Sequence, residues 1–328
     1  MYSNNTQVAI IGCGYWGTNI VKTLISMNLN RIYCYDTNIA NLKKIKKRFK
    51  KVILCKELDF LIKNKNIKTV FVCVPTSLIY NYAKIFINNK KNVFLEKPVS
   101  KDFRKISNLI KISKKNKVQI MTGYIYLYNK YIEYLKKAIK QKLLGNIKYV
   151  EFNRKNYGPI RKDVSSLWDL ASHDMSIVKY LFPGPIKKNK HLKSSITKKK
   201  IYDIYSINFQ VKKAVININV SWLYPEKIRQ ILIIGSKKIL LFDELDIKHP
   251  IKIFDIIKED SSSVDLPTIY FNPQRGIKIK KPFTPKFKKI SPLKDELEYC
   301  LNSFAKRKKV LTDGNFALTI AKNLKKFI

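Results

Sequence analysis

The chain has 328 residues, 45% of them hydrophobic, which is enough for two domains with a sizeable core in each. No apolar run approaches the roughly 18 residues of a membrane-spanning helix, and the polar stretch Met1 to Gln7 has no signal-peptide core, so a cytoplasmic protein without a membrane span is expected. The 66 Lys and Arg against 23 Asp and Glu give a net charge of +43, but the lysines are spread along the chain, so compositional bias explains them better than a specific nucleic-acid or membrane surface.

An apolar run, Val8 to Ile11, opens into Gly12-Cys13-Gly14-Tyr15-Trp16-Gly17, and the next apolar run, Arg31 to Tyr35, ends at Asp36. This is a dinucleotide-binding fingerprint. Gly12 permits the tight strand-to-helix turn, Gly14 lets the backbone approach a pyrophosphate, and Gly17 lets the helix pack closely on the sheet. The helix aims its N-terminal amides at the phosphates. Asp36 stands at the spacing of a ribose ligand, where a carboxylate repels a 2'-phosphate, so NAD is favoured over NADP although Lys43 and Lys44 lie one turn further. Asp36 would also serve as a helix cap, but a cap leaves the glycines unexplained.

The same rhythm continues to about Met121. Strands are expected at 7–11, 31–36, 52–54, 68–74, 92–95 and 118–121, with helices near 16–27, 38–49, 57–63, 78–88 and 102–116, which describes a parallel Rossmann sheet covered on both faces. A ligand belongs outside the carboxyl ends of such strands, where the glycine turn, Asp36, Pro75 and Glu96-Lys97-Pro98 all fall. After Gly123 comes a helix near 130–142 and then strands at 147–153, 202–211, 214–222, 228–234, 238–242 and 251–257. The fold class is therefore α/β: a Rossmann domain, 1–122, and an α+β domain, 123–328, on a largely antiparallel open sheet. Ile216, Ile218, Val220 and Trp222 alternate with Val215, Asn217, Asn219 and Ser221, giving one apolar face and one mixed face of the kind that packs against another subunit. Residues 183–200 and 272–292 read as loops, and helices from Pro292 and Gly314 close the chain. The five cysteines have neither metal-ligand nor CxxC spacing, so neither a metal nor a disulfide is expected.

Chemistry-bearing residues collect in two places. Lys97 directly follows a buried strand. Asp169 and His173 are four apart in Trp168-Asp169-Leu170-Ala171-Ser172-His173-Asp174, so a helix starting here projects both from one face. Arg154 and Arg161, with Asn156 between, suit a diphosphate or carboxylate as well as a solvated face. Tyr124, Tyr126 and Tyr128 read as core packing of a strand or as pocket lining.

GxGxxG, a strand ending in Asp, Glu-Lys-Pro and Asp-x-x-x-His together resemble the Gfo/Idh/MocA oxidoreductases over essentially the whole chain. Val74-Pro75-Thr76-Ser77, Gly235-Ser236-Lys237-Lys238, Pro292-Leu293 and Thr312-Asp313-Gly314 extend the likeness. Asn153-Arg154 with the segment 167–174 is most similar to the branch that oxidises UDP-N-acetyl-hexosamine derivatives at the sugar 3-hydroxyl for surface-polysaccharide synthesis. The resemblance implies a cofactor set of Gly12, Gly14, Tyr15, Trp16, Gly17 and Asp36, continued by Val74, Pro75, Thr76, Glu96 and Lys97. It implies a sugar or nucleotide-sugar substrate held by Tyr124, Arg154, Asn156, Arg161 and Trp168, and a homodimer or homotetramer formed through the second sheet. Alcohol oxidation needs a base for the hydroxyl proton and a donor for the developing alkoxide. His173, whose type titrates near about 6.5, suits the base. Lys97 suits the alkoxide, Asp169 orients, and either Lys97 or His173 qualifies as proton acceptor. A dehydrogenase for a free sugar or inositol would not need Arg154 and Arg161, and a non-catalytic sensor would dispense with Lys97 or His173. The chain departs from the family pattern at Ile79, where relatives often carry His, and at Asn129-Lys130, where Asn-Pro is common.

Overall fold

A computed structural model describes residues 2–161, 163–197, 201–256, 281–288 and 290–328. By compactness the chain interleaves: one unit takes Met1–Lys130, Arg161–Lys179 and Ile290–Ile328, the other Tyr131–Ile160 and Tyr180–Lys289.

The first unit is built on six parallel strands: β1 (Gln7–Ile11), β2 (Arg31–Tyr35), β3 (Ile53–Leu54), β4 (Ile67–Val72), β5 (Asn92–Leu95) and β6 (Ile120–Thr122). They stand in the order β3-β2-β1-β4-β5-β6. Helices α1 (Tyr15–Ser26), α2 (Ile39–Arg48), α3 (Leu58–Lys63), α4 (Thr76–Asn88) and α5 (Phe103–Lys115) connect them. Val8 to Ile11, Val70 to Val72 and Val93 to Leu95 are wholly buried, as strands covered on both faces must be. Short polar side chains start two of the helices, α2 and α5: Asn38 accepts from the Ala40 amide and Asp102 from the Arg104 amide, each at 2.9 Å. The glycine turn lies beyond β1 and Glu96-Lys97 beyond β5, at the carboxyl ends of the strands.

After α6 (Lys130–Lys140), the second unit carries seven strands: β7 (Ile147–Tyr157), β8 (Ile186–Ser194), β9 (Ile204–Val211), β10 (Ala214–Ser221), β11 (Leu223–Gly235), β12 (Lys238–Asp243) and β13 (Ile251–Asp255). Their order is β13-β12-β11-β7-β10-β9-β8. All pairs are antiparallel except β7 with β10. Val150, Phe152, Ile216 and Ile218 are buried on one face. The other carries Tyr149, Glu151, Asn153, Asn217 and Asn219, tied by bonds such as Asn153 Nδ2 to Glu151 Oε1 at 2.6 Å.

Three sequence expectations change. Residues 183–200, read as loop, contain β8, whose Lys-rich stretch shows little apolar alternation. Pairing with β9 makes it a strand, with a register shift between Lys187 and Lys190. Exposed lysines on such an edge discourage pairing with another chain. Tyr124 to Tyr128 form a 3-10 turn, Ile125–Tyr128, and not a strand. The segment around Asp169 starts as a π turn, Leu167–Ala171, which runs into α7 (Ser172–Leu181). Residues 198–200, 257, 272–280 and 289 of the expected loops and strand lie outside the described residues.

Candidate active site

The glycine turn is shaped by contacts that admit no side chain. Gly12 has φ +91°, and a Cβ there would stand 2.6 Å from the Cys73 carbonyl oxygen. A Cβ on Gly17 would overlap the Gly12 carbonyl, so this glycine brings α1 against the turn. At Gly14, by contrast, an added Cβ meets nothing within 4 Å among the described residues, so the turn is open on that side. Gly14 caps α1 without a side-chain bond, and the first turn of α1 carries no acid. Its amides are thus available to a phosphate. Tyr15 and Trp16, both exposed, meet edge to face at 5.7 Å beside it.

Asp36, just past β2, accepts from the Cys13 amide at 2.7 Å, the Asn38 amide at 2.7 Å and Asn41 Nδ2 at 3.1 Å. Its carboxylate is therefore fixed to the glycine turn, with acceptor capacity left for a hydroxyl donor. Val74 Cγ1 would lie 3.0 Å from a Cβ on Gly12, Pro75 precedes α4, and Thr76 is buried at its start. A crevice with free helix-start amides, room at Gly14 and an anchored carboxylate fits a dinucleotide.

Glu96 and Lys97 follow β5. The Lys97 side chain is 8% exposed; its Nζ donates to the Asp169 carbonyl at 2.7 Å and pairs with Asp169 Oδ1 at 3.3 Å. The π turn matters here. Its wider ladder departs from the α pattern, and the Asp169 carbonyl accepts from Lys97 and from Ser172 Oγ, at 3.3 Å. His173 follows in the first turn of α7, half-buried, its ring 5.2 Å from that of Tyr126 at 72°. Ser176 Oγ donates to the His173 carbonyl at 2.6 Å. A buried ammonium clamped by one residue, with an imidazole on the next turn, provides both a cationic donor and a titratable base.

Burial separates the remaining expected residues. Tyr124 is 2% exposed and packs edge to face on Phe316 at 5.5 Å, and burial pushes its hydroxyl pKa up. Trp168 is 4% exposed, and both side chains wall a cavity of only about 10 Å³ behind Pro98. Both rings are thus packed among buried neighbours of the adjacent strand and turn. Arg154 points to the buried face of the second sheet, opposite Arg229 of β11. Asn156 accepts from Arg229 at 2.5 Å, and Arg161 pairs with Asp163 at 3.5 Å. Arg229 was not among the expected residues, because its strand reads as ordinary sheet. Glu296, a wholly buried acid, was missed too, since nothing near it in the sequence marks burial.

Residues 6–124 match the model of the oxidoreductase family with an NAD-binding Rossmann fold, and residues 132–241 match the Gfo/Idh/MocA C-terminal domain. The chain is similar to 2,7-anhydro-N-acetylneuraminate hydratase of Escherichia coli K12, 29% identical over 143 residues, which is 42% of this chain and 37% of that protein. It is also similar to myo-inositol 2-dehydrogenase of Thermotoga maritima, 24% identical over 188 residues, which is 56% of each. The chain thus spans little more than a third of the one relative and about half of the other. Among solved structures, UDP-N-acetylglucosamine 3-dehydrogenase from Acidithiobacillus ferrooxidans superposes with a TM-score of 0.80 at 17% identity, over 98% of this chain and 95% of that one. With an NAD-binding unit and a C-terminal sheet domain that both match, the chain belongs to the Gfo/Idh/MocA family of oxidoreductases.

Proposed function

We propose that the protein is an NAD-dependent dehydrogenase that oxidises a sugar hydroxyl, with Lys97, Asp169 and His173 as its working residues. The observation that carries this is the clamp of Lys97 by Asp169, at the carboxyl end of the strand next but one to the glycine turn. The cofactor would supply the hydride acceptor. Lys97 stabilises the developing alkoxide, Asp169 fixes the ammonium, and His173 or Lys97 takes the hydroxyl proton. Asp36, anchored by Cys13 and Asn38, supports NAD over NADP because a 2'-phosphate would approach a fixed carboxylate. On this reading residues 1–122 bind the cofactor and 123–328 supply substrate contacts and subunit contacts. The half-polar face of the second sheet is the surface through which a homo-oligomer forms, and the protein works in the cytoplasm.

The substrate favoured by the likeness to the UDP-N-acetylglucosamine enzyme is a UDP-N-acetylated hexosamine or its uronate, oxidised at the 3-hydroxyl. A second reading, a free polyol such as inositol, is favoured by two observations. Arg161 is paired with Asp163, and Arg154 is 5% exposed, which leaves less cationic surface for a diphosphate. Reduction of NAD, followed through the near-ultraviolet absorbance of the reduced cofactor, tests both with UDP-N-acetylglucosamine, its 6-uronate and myo-inositol. Reduction by a UDP-sugar is the expected result, and reduction by myo-inositol alone moves the protein to the second reading. Reduction by none of the three while NAD still binds would overturn the proposal for these substrates.

A further inference from the structure

At the end of the first sheet opposite the glycine turn, the amino ends of β1, β4, β5 and β6 border a cavity of about 1190 Å³. Five cations line it: Lys68, Lys90, Lys115, Lys117 and Arg307. All five are exposed. Among the described residues no carboxylate lines the cavity, and none of the five side chains has a hydrogen bond or an ion pair.

Lys90, Lys117 and Arg307 occupy equivalent places. Each lies just past the C-terminus of a helix, α4, α5 and Pro292–Ala305 in turn, at φ 55°, 56° and 51°, a left-handed conformation that glycine takes more readily. The amide of the following residue reaches back five residues in each case, to the carbonyls of Phe86, Ser113 and Ser303 at 3.0, 3.0 and 2.9 Å. Backbone amides thus close these helix ends, and the three side chains are not needed for it. A cation near a helix end offsets its dipole. That explains such positions singly, but neither Lys68, on β4, nor the meeting of five cations in one hollow. The buried Lys91 ammonium next to Lys90 registers the crowding, since burial and then the Lys68 charge hold its pKa down.

A hollow lined by one sign of charge focuses the field and gathers counter-ions. Its volume exceeds the roughly 300 to 1,000 Å³ of a small-molecule pocket, which suits an extended polyanion better than a single ion. We infer that this cavity is a second anion site, separate from the dinucleotide crevice, that binds a small molecule carrying a chain of phosphates.

Calorimetric titration of the whole protein with tripolyphosphate, and separately with ATP, tests this in about 0.15 M NaCl, where exposed charges are screened. Excess NAD keeps the glycine turn occupied. One ligand per chain is expected. Lys90→Gly, Lys117→Gly and Arg307→Gly together suit the left-handed backbone, so the fold is kept while affinity falls at least about tenfold. Lys68→Gln alone, which leaves the helix ends untouched, should weaken binding about threefold. Lys187→Gln, Lys188→Gly and Lys190→Gln together remove as much charge from β8 and should change affinity less than about twofold. Equal affinities identify the phosphate chain itself as the ligand, tighter ATP binding identifies a nucleoside polyphosphate, and either result supports the site. No binding of either probe, unchanged affinity in the first triple variant, or equal weakening in both triple variants would overturn it.

Discussion

Lys97 is held by two oxygens of a single residue, and those two oxygens can be tested apart. Asp169→Asn keeps the carbonyl bond and the shape but removes the charge that steadies the ammonium. Turnover is expected to fall about tenfold with cofactor affinity unchanged, and equal turnover would show the carboxylate to be dispensable. Glu96 makes a second prediction. Its folded value, about 7, lies above the ordinary 4.5, so the unfolded chain loses its proton first as pH rises. Stability from this group is whole below about 4.5 and declines until about 7. Glu96→Gln, which has no proton to lose, should therefore gain about 2 to 3 kcal/mol on the unmutated protein between about pH 5 and about pH 8, read by urea unfolding. A gain that is the same at both pH values contradicts the shift. Lys97, Asp169 and His173 were legible because their motifs are short and local. Glu296 was not, because its burial arises from helix packing far along the chain. Tyr124 and Trp168 are not decided by sequence because aromatic rings suit cores and sugar pockets alike.

Among elements, the glycine turn admits no side chain at Gly12 or Gly17. Gly12→Ala forces a side chain into φ +91° and against the Cys73 carbonyl, so a loss of about 2 to 4 kcal/mol with loss of dinucleotide binding is expected, read by thermal unfolding and calorimetric titration. Near-normal stability and binding would mean the turn can re-form. The two-residue connection Lys212-Lys213 between β9 and β10 holds Lys212 at φ 54°, a conformation glycine takes more readily. Lys212→Gly should raise stability by about 0.5 to 1 kcal/mol, and a decrease would assign the lysine a contact of its own. The βα rhythm of the first sheet and the alternation of β10 were readable because period and burial coincide there. β8 was not, because its strand character comes from β9. The π turn escaped because a four-residue spacing looks the same in either ladder.

For the whole molecule, the net charge of +43 has a measurable consequence separate from catalysis. Spread charge binds nucleic acid through counterion release alone, so retention on duplex DNA at low salt should vanish near about 0.15 M. Retention that persists there would assign the surface a partner. Among the described residues no helix is long and apolar enough to cross a membrane. What makes the molecule an enzyme, on the account given, is the pairing of a dinucleotide crevice with the Lys97 and His173 site. The direct test is single-turnover reduction of bound NAD by the substrate that works best, in the unmutated protein, Lys97→Ala and His173→Ala, with cofactor affinity measured alongside. Rapid reduction is expected in the unmutated protein and a loss of at least about a hundredfold in each variant, with NAD affinity nearly unchanged. Reduction at the unmutated rate in both variants would contradict it.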